Sequence, residues 1–65
     1  MTDDRAEVRR EVVAELVIAA LNHAAQQEEL HQIAVEHGRD EVATRALATQ
    51  NAWLEVARTL RTQET

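Results

Sequence analysis

Residues 12 to 25 read VVAELVIAALNHAA, and eleven of the fourteen are apolar, with only Glu15, Asn22 and His23 interrupting. Placed on a helix at about 100° per residue, the stretch carries an apolar arc of roughly 240°. An ordinary surface helix shows a stripe of roughly 100° or a little more. Two or more neighbours are therefore needed to cover this helix. A chain of 65 residues has little else with which to do so.

Length sharpens the point. A domain of this size sits where a lone hydrophobic core is marginal, and the usual remedies are disulfides, metals or oligomerisation. The chain has no cysteine, which removes the first. Composition favours helix throughout: twelve Ala, nine Glu and seven Arg, with one Gly and no Pro. Ala, Leu, Arg, Gln and Glu are the strongest helix formers.

Outward from the central stretch, helix 1 is expected over about residues 4–37. Asp4 is the expected N-cap, with Glu7 three residues on as the second half of a capping box, and Thr2 or Asp3 is the alternative cap. Met1 to Asp3 and Gln63 to Thr65 are expected to fray. No breaker interrupts Gln26-Gln27-Glu28-Glu29, so the helix runs on for over thirty residues, on the order of 50 Å. Gly38 is the sole glycine and fits the C′ position, where a left-handed residue ends a helix. Asp40 then caps a second helix of about residues 40–62, on the order of 33 Å long. The expected fold is a single all-α domain over 1–65, an antiparallel helical hairpin turning at Gly38.

Helix 2 carries a regular seam. Ala43, Ala46, Gln50, Trp53, Ala57 and Leu60 follow the 3–4 spacing of a heptad repeat. Helix 1 offers Val13, Leu16, Ala20, His23, Gln27, Leu30, Ala34 and His37 at matching spacing. Folding the two about Gly38 makes facing residue numbers sum to about 77. Ala34 then meets Ala43, Ala20 meets Ala57, Leu30 meets Leu47, and Gln27 meets Gln50. The two glutamines fall in one polar layer that would fix register, and Trp53 is the one aromatic of the core.

Helix 1 outlasts helix 2 by about ten residues in this alignment, and Ile18, Leu21 and Ala25 point away from the seam. A second chain would cover these leftovers. The simplest closed answer is two hairpins forming a four-helix bundle, with Val12, Val13, Leu16, Val17, Ile18, Leu21 and Ala25 at the interface. A three-helix monomer broken near Gln26, a larger oligomer and a hetero-complex are the alternatives.

Residues that could carry chemistry are few. Glu28 and His31 have the Glu-x-x-His spacing of carboxylate-bridged di-iron bundles. The register places Ala46 to Thr49 opposite them, where no carboxylate is available. His23 and His37 lie on the seam and His31 at its edge, at separations that do not gather three ligands on one turn, so no metal and no cofactor are expected. Arg9 and Arg10 are flanked by Glu7 and Glu11 and read as a surface ion network. No phosphate-binding loop, nucleophile elbow or Cys/His pair occurs, and a single glycine excludes most such motifs.

The net charge of −5 argues against nucleic acid or an anionic membrane as partner. The central stretch is too short to span a bilayer and contains Glu15. An Asp-rich start does not resemble a signal peptide, so the chain reads as cytoplasmic. The expected function is that of a small non-enzymatic interaction protein, an adaptor, assembly factor, inhibitor or regulator, partnered with itself and with another protein. The alternatives are a metal-binding His/carboxylate bundle completed by oligomerisation, and a nucleic-acid-binding regulator.

Overall fold

In the computed structural model, residues 2–63 are described. They form two helices, α1 (Thr2–Glu36) and α2 (Asp40–Thr62), packed as an antiparallel hairpin. The Cα positions span 56 × 14 × 11 Å, close to the length of α1 alone. The helix continues unbroken through Gln26, which rules out a chain reversal there. The single reversal among the described residues lies at 37–39.

That turn is built as the sequence requires. The Gly38 N–H donates to the Val35 carbonyl at 3.1 Å, and the Arg39 N–H donates to the Ala34 carbonyl at 2.8 Å. These two bonds form a Schellman motif with Gly38 at C′, where its φ of +69° is the left-handed conformation that side chains resist.

Both expected N-caps are displaced. Helix α1 already starts at Thr2, so Asp4 lies inside its first turn instead of ahead of it. Arg39, not Asp40, holds the N-cap position of α2 and makes no side-chain capping bond. The Arg39 carbonyl accepts the first helical bond from the Ala43 N–H at 2.9 Å. Asp40 and Glu41 occupy the first turn, where their charge suits the positive end of the helix dipole. At the far end Gln63 caps α2, its N–H donating to the Leu60 carbonyl. The fraying expected at Thr2 and Asp3 is not seen, since both are helical, and that expected at Met1, Glu64 and Thr65 falls outside the described residues.

The interior is made of small side chains. Among the described residues Ala20, Ala24, Ala34, Ala43, Ala46 and Ala57 are buried, joined only by Val13 and Val17. Val13, Val17, Ala20 and Ala57 form one cluster, against which Leu21, Trp53 and Leu60 are partly buried. The α2 seam is as expected from its spacing: Ala43, Ala46 and Ala57 are buried, and Gln50, Trp53 and Leu60 half-buried.

The α1 seam differs by one phase. Val13, Val17, Ala20, Ala24, Gln27, His31 and Ala34 face inward, while Leu16, His23, Leu30 and His37 are exposed. Both series share positions 13, 20, 27 and 34, and both keep the 3–4 spacing. Alanine decides between them. Opposite the short side chains of Ala43, Ala46 and Ala57, Val17 and Ala24 allow the helix axes to approach, whereas Leu16 and Leu30 would hold them apart.

Candidate interaction surface

The consequence of an alanine interior is an apolar exterior. Eleven large aliphatic side chains are exposed among the described residues, including Leu16 at 49%, Ile18 at 59%, Leu30 at 49% and Ile33 at 46%. Helical spacing sorts them into two faces. On one flank of α1 stand Val12, Leu16, Leu30 and Ile33, beside Val42 and Val56 of α2. Leu30, Ile33, His37, Arg39 and Val42 line one shallow groove across the two helices near the turn, which fixes these elements on the same side. Ala52, Val56, Thr59 and Leu60 continue the face along α2. Ile18, Val35, Leu47 and Leu54 belong to the opposite face.

The set assigned to an oligomer interface therefore divides three ways. Val13 and Val17 are already buried within the hairpin, and Leu21 is half-buried against them. Val12 and Leu16 belong to the first face. Ile18 and Ala25 are exposed on the second. Leu30 does not meet Leu47: both are exposed, and heptad position puts them on opposite sides of the hairpin.

The polar candidates are similarly redistributed. Gln27 and Gln50 are both half-buried at the level where the register aligns them. His31 sits in the seam and not at a solvated edge. Its ring Nδ1 lies 2.9 Å from the Ala43 carbonyl, so the Nδ1–H tautomer donates a bond between the helices. That contact is nearly a turn away from the Ala46–Thr49 stretch expected opposite it. Glu28, its partner in the Glu-x-x-His spacing, is exposed. His23 is exposed but stacks on Trp53, with ring centroids 4.5 Å apart and planes 17° from parallel. Trp53 is thus half core and half surface, packed against the cluster of Ala57 and its neighbours and stacked by its face on His23. His37 is exposed beside the turn. No group of three or more His, Asp or Glu side chains is placed to hold a metal ion among the described residues.

Charged groups are solvated. Arg58 pairs with Glu55 at 3.0 Å, both largely exposed. The ion network expected of Arg9 and Arg10 with Glu7 and Glu11 does not form; Arg10 donates instead to the Ala6 carbonyl at 3.4 Å. No described helix is long and apolar enough to cross a membrane.

The surface carried by Leu16, Leu30, Ile33, Val42 and Val56 was not evident from periodicity alone. The signal that could have found it was the count of alanines at seam positions, which leaves the bulky side chains nowhere else to go. Comparison with protein-family models, curated proteins and solved structures finds no match for this chain.

Proposed function

We propose that this chain is a small non-enzymatic interaction protein that acts as a homo-oligomer, most simply a dimer of hairpins closing into a four-helix bundle. One observation carries the reading: the hairpin buries alanines and exposes its large aliphatic side chains. Exposed apolar surface on this scale marks an interaction site. Fully burying one such side chain is worth roughly 1.5–3 kcal/mol. Several of them together rival the whole stability of a small domain, about 5–15 kcal/mol. Association thus supplies the core that one hairpin lacks, and an assembled bundle offers its outer surface to further protein partners as an adaptor, assembly factor, inhibitor or regulator.

Sedimentation equilibrium at micromolar concentration tests the reading. A mass of two chains, or a larger closed number, is expected. A compact, helical, monodisperse monomer would overturn it.

A further inference from the structure

The exposed flank of α1 reads nearly the same in both directions. Its positions, at 3–4 spacing, run Val12, Leu16, Ala19, His23, Gln26, Leu30, Ile33. Large aliphatic residues stand at both ends and polar ones at the centre. We infer that a second copy of this chain docks on this face with its α1 antiparallel, about a two-fold axis at His23. Val12 then meets the partner copy's position 33, Leu16 its position 30, Ala19 its position 26, and His23 its own equivalent. This inference rests on the homo-oligomer reading and specifies which face and which direction it uses.

Three observations favour this pairing. The first is self-complementarity, which a two-fold interface demands because one patch must fit itself. Every large aliphatic residue of the flank is matched with another, and polar with polar or small. The opposite flank fails the same test. Beyond Ile18, Leu21 and Ala25 it turns to Glu28 and Gln32 before Val35, so about the same axis an antiparallel copy would set Ile18 against Glu28.

The second is length. Helix α1 has 35 residues and α2 has 23, so the first dozen residues of α1 extend past the end of α2. In the antiparallel pairing this overhang lies along the turn end of the second copy. Val8 and Val12, exposed in the single chain, then reach the groove of Leu30, Ile33, His37 and Val42. The overhang and the groove thus cover one another, twice per dimer.

The third is charge. On the overhang, helical spacing puts Arg5 and Arg9 on the docking flank and turns Asp4, Glu7 and Glu11 away from it. The turn end they approach carries Glu36 and Glu41 against the single Arg39, while Asp40, in phase with Leu47 and Leu54, lies toward the opposite face. The exposed Glu15 and Glu29 would approach each other at the rim, where a solvated like-charge pair costs only a few tenths of a kcal/mol.

The chain has no cysteine, so single thiols can report the pairing. In the full-length protein, His23→Cys treated with a short bis-maleimide should give a covalent dimer in high yield, and Ile18→Cys should give little. Val12→Cys mixed with Ile33→Cys should cross-link to each other far better than either does to itself. Circular dichroism and sedimentation of each variant before cross-linking check that fold and mass are retained. Arg5→Glu combined with Arg9→Glu, which leaves the hairpin interior untouched, should weaken association several-fold at low salt and less at high salt. A dimer that cross-links through Ile18→Cys and not His23→Cys, or a strong self-cross-link of Val12→Cys, would overturn this pairing while leaving the oligomer intact. A monomer by sedimentation would overturn both.

Discussion

Truncating Leu16 to Ala separates the role of the docking flank from that of the hairpin interior. Leu16 is 49% exposed in the single chain, so about half of its surface is still available to a partner. The change removes three carbon-sized groups at about 0.8 kcal/mol each, of which about half, or about 1.2 kcal/mol, is realised only on association. A two-fold interface contains the site twice, so the dimer loses about 2.4 kcal/mol. At about 1.4 kcal/mol per decade, that is about a fifty-fold rise in Kd. The buried seam of Val13, Val17, Ala20 and Ala57 is not altered by the substitution. A dilution series followed by sedimentation equilibrium, with far-UV circular dichroism on the same samples, reads the effect. Ile18→Ala, more exposed at 59% but on the opposite face, serves as the control and should shift Kd only slightly. The reasoning is refuted if Leu16→Ala leaves Kd within about twofold of the parent protein while Ile18→Ala raises it.

Further expectations concern the interior and the turn. Replacing Gln27 and Gln50 together with Leu should raise the melting temperature but allow more than one assembly state, because a polar layer in an apolar seam trades stability for a defined register; a double variant that is less stable and uniquely assembled would contradict the shared layer. His31→Ala removes the Nδ1–H bond to the Ala43 carbonyl and should cost about 0.5–1.5 kcal/mol, several degrees in melting temperature for a domain of this size; an unchanged melt would show the bond to be idle. Gly38→Ala should cost about 1–2 kcal/mol through its left-handed backbone alone, since an added Cβ meets nothing within 4 Å. Gly38→Asn should recover part of that loss, and thermal denaturation at fixed protein concentration checks both.

The hairpin and its turn were legible because few residues compete for those roles. Gly38 is the only residue that takes a positive φ at no cost, and it does so. The seam of α2 was legible in the spacing of Ala43, Ala46, Trp53, Ala57 and Leu60, although Val42 and Val56 on one side and Leu47 and Leu54 on the other also fit a 3–4 spacing. The seam of α1 was not, since its apolar arc is so wide that Leu16 and Leu30 satisfy the spacing as well as Val17 and Ala24 do. Periodicity reports direction on a helix but not the separation of helix axes. Here the separation, set by alanines on both sides, chooses the phase. The same ambiguity hid the division of Val12 through Ala25 among a core and two faces. The N-caps were misplaced for a different reason: Asp4 and Asp40 are good caps and also good first-turn residues, and the helix dipole rewards them in either position. The bond from His31 depends on the one-phase rotation of α1, which no local pattern near His31 reveals.

The central claim is that one hairpin is half of a core and that folding and association are linked. Thermal melting followed by far-UV circular dichroism over about a hundredfold range of protein concentration tests it most directly. The account predicts a melting temperature that climbs steadily with concentration, with helicity and sedimentation mass falling together on dilution. A melting temperature independent of concentration, with full helicity in a monomer at the lowest concentration, would contradict it.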